Sequence, residues 1–244
     1  MLASSHREYS LTITRGDTYA ISMIGLDSRR CCVERVEMMV VENDNDPRRD
    51  ILNATLRTIA EYKISGTRMK HVARKVGMSQ GNLHYHFPTK TDLFVALLDM
   101  MLKTFASERV DELQDPTLPP DFKLKCIFEQ KKRFLRSRRE FMDVYYDFWV
   151  QATVDPVIQE KMKEQYAIWR RDIQAVVREA IASGHFAPHC ERLIPSLMVS
   201  LMEGAALQFL IDAEALKLDE YFDAALRMVL RLAMPDKKPG ADRG

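Results

Sequence analysis

Between Thr67 and Lys90 the chain gathers side chains suited to reading a nucleic acid rather than to breaking bonds. Ser79, Gln80, Asn82, His84, Tyr85 and His86 crowd one short stretch. Their hydroxyl, amide, imidazole and phenol groups can meet base edges and phosphates. Met78, Leu83 and Phe87 supply the apolar face of the helix that carries them, so the polar six are left outside. Just upstream, Val72 and Val76 are four apart and face one core, and Ala73 is small where a second helix must cross closely. Gly77 can supply the positive φ of a tight turn. The segment therefore has the logic of a helix–turn–helix, whose second helix enters the major groove by its N-terminal end.

The charge distribution agrees. The formal net charge of the 244 residues is only +1, but residues 47–91 carry nine basic side chains against Asp50 and Glu61. Residues 1–46 and 92–244 are each mildly acidic. A compact basic segment on a near-neutral body suits a polyanion partner.

Other chemistries fit less well. Gly77-Met-Ser-Gln-Gly81 matches the G-x-S-x-G nucleophile elbow, but that motif needs a buried strand before it, and Arg68–Val76 reads as a polar helix. His185, His189 and Cys190 have metal-ligating side chains without a further ligand nearby in sequence, so no metal and no cofactor are expected. The four cysteines show no C-x-x-C spacing, and no secretory signal is visible, which fits a reducing cytoplasmic setting. Leu193–Ile211 is the most membrane-like stretch, yet Pro195, Ser196, Ser200, Glu203 and Gln208 interrupt it, so a buried helix of a soluble protein is expected and no membrane partner.

The elements that position these residues read as helices from Pro47 onward, giving an all-α chain. Ile51, Leu52, Thr55, Leu56 and Ile59 make the stripe of a first helix that ends at Ser65-Gly66. Thr67 suits the N-cap of a second, Arg68–Val76, and Ser79 that of a third from Gln80. Thr89 or Thr91 caps a long fourth helix, and Asp115–Pro120 is the clearest linker. Further helices are expected at about 121–137, 139–153, 155–183, 190–213 and 217–234, with Asp155-Pro156 as a cap, Ser183-Gly184 as a stop, and Pro195 in a first turn or at a kink. The domains follow: 1–46 an N-terminal extension, of which 1–38 is expected to lie outside the packed fold; 47–92 the DNA-binding domain; 93–235 a helical effector-binding and dimerisation domain; 236–244 a polar tail.

Within the larger domain, Tyr145, Tyr146, Phe148 and Trp149 cluster with Asp143 and Asp147 between them, and Tyr166 and Trp169 recur one helix later. Aromatic faces with a carboxylate suit a cationic ligand, although aromatic stripes at helical spacing also build ordinary cores. Met198, Met202 and Phe209 could line a plastic apolar pocket or a core. Gly204, Ala205 and Ala206 permit close helix approach, and Leu201, Phe209, Phe222, Leu226, Val229 and Leu230 offer apolar surface for a four-helix dimer seam.

The Arg48–Gly66 helix, the Thr67…Val72-Ala73…Gly77 pattern and Leu83-His-Tyr-His-Phe87 followed by Lys90-Thr-Asp-Leu93 resemble the DNA-binding domain of the TetR family of bacterial transcriptional regulators. More loosely, Trp149–Phe186, with Asp155-Pro156, Tyr166, Trp169-Arg170 and Gly184-His-Phe186, is similar to the choline-responsive BetI-type subgroup. The resemblance implies a homodimer on a palindromic double-stranded DNA operator, and a C-terminal domain that binds a small effector. It implies that Thr67 caps the second helix and touches phosphate, that Gln80 and Asn82 read bases, and that Tyr85 and His86 contact backbone or a thymine methyl. Lys90 would pair with phosphate and Gly81 would let the backbone approach; Arg48, Ser79 and His84 complete the DNA-facing set. The aromatic cluster itself makes Tyr145, Tyr146, Trp149, Tyr166, Trp169 and Met202 the expected effector-binding set, for an effector of cationic or amphipathic character, and the resemblance to the choline-responsive subgroup points the same way. The expected function is a ligand-responsive repressor, with an activator or a ligand-independent regulator as the alternative, and an enzyme or a protein adaptor as readings from other classes.

Overall fold

The computed structural model describes residues 46–107 and 110–235; the expectations for the N-terminal extension and the polar tail lie outside them. The chain divides into two units after Asp46, and the described residues beyond it belong to the second. Among the described residues every regular element is a helix. The order is α1 (Pro47–Gly66), α2 (Met69–Val76), α3 (Gln80–His86), α4 (Lys90–Ser107), α5 (Val110–Gln114), α6 (Pro120–Ser137), α7 (Arg139–Gln151), α8 (Pro156–Ala182), α9 (Cys190–Ile211) and α10 (Leu218–Ala233). The short α5 has no apolar stripe to announce it and was not expected from the sequence.

Local signals set most of the boundaries. Gly77 takes φ 80° and returns its N–H to the Ala73 and Arg74 carbonyls, which ends α2. The Ser79 hydroxyl accepts the Asn82 N–H at 3.2 Å and starts α3. Thr89 and Asp92 form a reciprocal capping box at α4: the Asp92 N–H reaches the Thr89 hydroxyl at 3.0 Å, and the Thr89 N–H reaches the Asp92 carboxylate at 3.0 Å. Asp155 accepts the N–H groups of Val157 and Ile158 and starts α8 with Pro156 in its first position. Gly184 at φ 77° closes that helix.

Two local expectations are corrected. Thr67 does not cap α2. The N-cap is Arg68, without a side-chain bond. Thr67 is instead 1% exposed, and its hydroxyl donates to the Lys63 carbonyl at 2.7 Å. It ties off α1, so the side chain is turned inward rather than toward a phosphate. Pro195 lies buried in the second turn of α9, which excludes the first of its two expected placements.

The α1 helix breaks at Lys63, which holds φ 59° and ψ 168°. That backbone region is essentially reserved for glycine and costs of the order of 1–3 kcal/mol elsewhere. The break sits where the N-terminal helices meet the body, and its surroundings hold it in place, as described below.

The N-terminal bundle packs Ile51, Ile59, Val72, Leu83 and Phe87 into one core that continues into the body through Leu93, Phe94, Leu97 and Leu98 of α4. In the body, α8 lies against α9, α9 against α10, and α6 against both α8 and α10. Phe105, near the end of α4, is the hub of an aromatic cluster: its ring centroid lies 4.7 Å from Phe134, 5.3 Å from Phe141, 5.2 Å from Tyr145 and 5.7 Å from Trp169. The α9 helix is long and apolar enough to span a bilayer by length and composition. Here it buries Ile194, Met198, Met202, Ala205 and Ala206 against the rest of the protomer.

Part of the apolar surface expected for a dimer seam is not available. Ala205, Ala206, Phe222 and Val229 are buried inside the protomer and present nothing outward. The outer stripe of α9 consists of Leu193, Leu197, Leu201 and Gly204, running on to Ile211. A Cβ added at Gly204 would meet nothing within 4 Å. On α10 the exposed apolar residues are Met228 and Leu232.

Candidate nucleic-acid interface and aromatic cage

The α3 helix presents its polar residues as its sequence demands. Leu83 and Phe87 are buried, while Ser79, Gln80, Gly81, Asn82, His84 and Tyr85 face outward and His86 is half-buried. Tyr85 is 84% exposed, so its ring and hydroxyl are open to a partner. A Cβ at Gly81 would meet only the Ser79 hydroxyl, at 3.9 Å, so the glycine leaves the outer surface of α3 open without being required by the protomer's own packing.

Some members of the set hold the unit together as well. The Arg48 Nη1 donates to the His86 carbonyl at 2.8 Å, and its guanidinium lies 4.3 Å from the Phe87 ring centroid. It fastens α1 to the end of α3, which fixes the tilt of the outward face. The His84 Nδ1 lies 3.1 Å from the Pro88 carbonyl. Around the neighbouring α2, Lys70, Arg74 and Arg68 surround His71; burial first and these charges next hold its imidazole below its ordinary pKa.

Lys90 is engaged within the protomer. Its ammonium donates to the Ile64 carbonyl at 3.2 Å and lies 5.0 Å from the Phe94 ring centroid, and burial lowers its pKa. The N–H of the same Ile64 donates to the Asp147 carboxylate on α7. The residue after the Lys63 break is thus clamped from two sides, by α4 through its carbonyl and by α7 through its N–H. This corrects the expectation that Asp147 serves a cationic ligand. Asp143 does not serve one either; it pairs with Arg139 at 3.2 Å.

The aromatic side chains do come together. Tyr145, Tyr146 and Trp169 are buried, Tyr166 is half-buried beside Trp169, and Met202 lies at the same place. Trp149 sits at the rim, 38% exposed, with its indole N–H on the Tyr166 hydroxyl at 2.9 Å. The charges at the centre are Lys131 of α6 and Glu203 of α9, neither of which the sequence reading singled out. The Lys131 ammonium donates to Glu203 Oε1 at 2.8 Å and to the Tyr146 hydroxyl at 3.1 Å. Tyr146 in turn donates to Glu203 Oε2 at 2.9 Å, and the Tyr166 hydroxyl reaches the same oxygen at 3.4 Å. Burial, and then the Glu203 charge, push the phenol pKa values of Tyr145, Tyr146 and Tyr166 up, so all three remain neutral. Glu203, the one charged residue of α9 beyond its first turn, was the available signal, since a charge in so apolar a stretch demands a buried partner.

Beside this cage a cleft of about 250 Å³, counting the solvent in its mouth, is lined by Phe105, Ile127, Gln130, Lys131, Phe134, Trp169 and Met202. Among the described residues no group of three or more His, Cys, Asp or Glu side chains is placed to hold a metal ion. Cys190 is buried, with its thiol on the Leu232 carbonyl at 3.3 Å, a packing contact between α9 and α10.

Comparison with known proteins bears on both regions. Residues 51–97 match the description "Bacterial regulatory proteins, tetR family", and residues 126–233 match "BetI-type transcriptional repressor, C-terminal". The transcriptional regulator RutR of Escherichia coli K12 is 40% identical over 52 residues, which are 21% of this chain and 24% of that protein. The regulator BetI of Burkholderia lata is 25% identical over 112 residues, 46% of this chain and 58% of that one. The chain thus spans less than two thirds of either of these curated relatives. The crystal structure of a transcriptional regulator from Saccharomonospora viridis in complex with choline has the same fold, with a TM-score of 0.69 at 22% identity over 77% of this chain and 97% of that one.

Proposed function

Since this chain belongs to the tetR family of bacterial regulatory proteins, we propose that it is a cytoplasmic repressor that binds a palindromic operator as a homodimer and is released by a small organic effector. The α3 helix would enter the major groove with Gln80 and Asn82 toward base edges and Tyr85 and His86 toward backbone or a thymine methyl. The outward apolar residues of α9, Leu193, Leu197, Leu201 and Ile211, with Met228 and Leu232 of α10, support pairing with a second copy, because apolar side chains gathered on one face favour a partner more than scattered ones do. The effector would bind at the cage between α6, α7, α8 and α9, and choline in the Saccharomonospora viridis regulator favours a cationic molecule.

The clamp on Ile64 carries the regulatory part of this reading. The α7 helix places Tyr146 of the cage and Asp147 of the clamp next to each other, and α4 runs from Lys90 of the clamp to Phe105 under the cage. A shift of either helix at the cage must be felt at the base of the DNA-binding unit, about 22 Å away along α4 at 1.5 Å per residue. An effector that fits only a shifted arrangement weakens operator affinity by its differential affinity for the two states.

The roles assigned to Tyr85 and Lys90 separate in one experiment. Tyr85→Ala should leave the melting temperature unchanged and weaken operator binding by about 1–3 kcal/mol, as expected for an exposed contact residue. Lys90→Ala should lower stability by about 1 kcal/mol through its lost bond to Ile64, and should also lower the salt slope of DNA binding by about one if its ammonium meets a phosphate too. Calorimetry and anisotropy titrations at several salt concentrations measure both. A Tyr85→Ala protein that keeps full operator affinity would remove α3 from the interface.

A further inference from the structure

The cage already holds a cation, and that cation belongs to the chain. The Lys131 ammonium lies 5.7 Å from the Tyr145 ring centroid and 5.5 Å from that of Trp169, within cation–π range, with its side chain 4% exposed. Tyr146 contributes its hydroxyl rather than its face, accepting from the ammonium at 3.1 Å while donating to Glu203. The Glu203 side chain is 13% exposed, and both its oxygens are engaged, one by Lys131 and the other by the two tyrosines. Two aromatic rings, one buried carboxylate and hydroxyl groups that complete its shell make a site for a single positive charge.

The space beside it is short. The cleft of about 250 Å³ is mostly open solvent, its enclosed part has room for little more than a water molecule, and Lys131 is one of its walls. What narrows the site is a flexible, unbranched side chain anchored on α6.

We propose that Lys131 is an intramolecular competitor for the effector site: the cage is self-occupied, and the effector is an organic ammonium ion that takes its place over Tyr145 and Trp169 and against Glu203, while Lys131 turns out through the cleft. This rests on the cage being the effector site. Charge decides among the alternatives. Exchanging one cation for another leaves the site neutral. Adding a second cation beside Lys131 would place two like charges within a few ångströms in a buried site. An anionic ligand would find Lys131 already paired and would add its charge to that of Glu203. Because only the fraction of molecules with Lys131 turned out can bind, the lysine lowers apparent affinity by that fraction and sets the concentration at which the regulator responds.

The test uses the full-length protein without DNA, so its outcome is independent of the regulator reading. Lys131→Met keeps the length of the side chain and removes the charge. The probe is tetramethylammonium chloride, with sodium chloride and sodium propionate at the same ionic strength as controls. Binding is followed by titration calorimetry and by Trp169 fluorescence, and stability by thermal melting. Lys131→Met should bind tetramethylammonium at least about tenfold more tightly than the natural protein, and its lowered melting temperature should be restored by that ion and by neither control. The Lys131→Met, Glu203→Gln double variant, which removes both charges together, should fold and lose the response; it also serves if the single variant is too unstable to purify. A Lys131→Met protein that binds tetramethylammonium no better than the natural one would overturn the proposal. So would stabilisation of the natural protein by propionate that disappears in Lys131→Met, because Lys131 would then be the anchor of an anionic ligand.

Discussion

Leu193→Glu combined with Met228→Glu is expected to convert the protein to a monomer and to lower operator affinity by about 10²–10⁴-fold, the advantage of holding two half-site contacts on one body. Both side chains are about half exposed in the protomer, at 48% and 47%, so neither substitution opens a cavity or buries a charge in the isolated chain. The far-UV signal and melting profile at low concentration should therefore match those of a folded protomer. In a dimer sealed by the α9 stripe and the outer face of α10, two added carboxylates on each copy would face one another across the seam, where like charges repel and lose their water. Sedimentation across a concentration series measures the oligomeric state, and anisotropy on the selected operator measures affinity. A double variant that remains dimeric would place the seam on another face.

Asp147→Val should separate the effector site from the DNA-binding unit. Ile64 is 4% exposed, and its N–H has the Asp147 carboxylate as acceptor. Valine leaves that N–H buried and unsatisfied, at a cost of about 1–3 kcal/mol, or roughly 2–4 °C of melting temperature for each kcal/mol in a body of this size. Asp147→Asn keeps an acceptor oxygen and should lose much less. The consequence for regulation is larger than the loss of stability. With this hydrogen bond gone, Ile64 keeps Lys90 and its core packing but loses its polar tie to α7, so cage ligands should release the operator less effectively, by about 0.5–2 kcal/mol of coupling, while binding at the cage stays as it was. Operator anisotropy with and without ligand, beside calorimetry of the ligand alone, gives both quantities. Undiminished release in Asp147→Val would assign the transmission to α4.

What the sequence revealed and what it hid follow from the range of the interactions. Gly77, Ser79, Asp155 and Gly184 act on backbone within three or four residues of themselves, so the turn, the caps and the stop that they form were readable one by one. The outward face of α3 followed in the same way, from Leu83 and Phe87 turning inward. Thr67 shows where such reasoning fails: a threonine ahead of a helix is a good cap, but the break at Lys63 offers its hydroxyl a carbonyl behind it, and that bond prevails. The centre of the cage depends on pairs far apart in the chain. Lys131 and Glu203 are separated by 72 residues, and Ile64 and Asp147 by 83. Asp147 stands beside Tyr146 in sequence, which suggests a shared site, yet adjacent residues on a helix point about 100° apart, and the structure uses that turn to serve two sites with one helix. The dimer surface was half readable for the same reason. The apolar content of α9 and α10 was plain, but whether Phe222 or Met228 faces inward depends on how the two helices roll against α6 and α8.

The central claim, a dimer that reads DNA through α3, is tested most directly by selection from a random pool of double-stranded DNA with the purified full-length protein. Sequencing of the retained fragments should yield a palindrome whose half-sites lie on one face of the duplex, and Gln80→Ala should relax the preference at one or two positions in each half-site. Retention without any enriched sequence, or enrichment of a motif without two-fold symmetry that Gln80→Ala leaves untouched, would contradict the account.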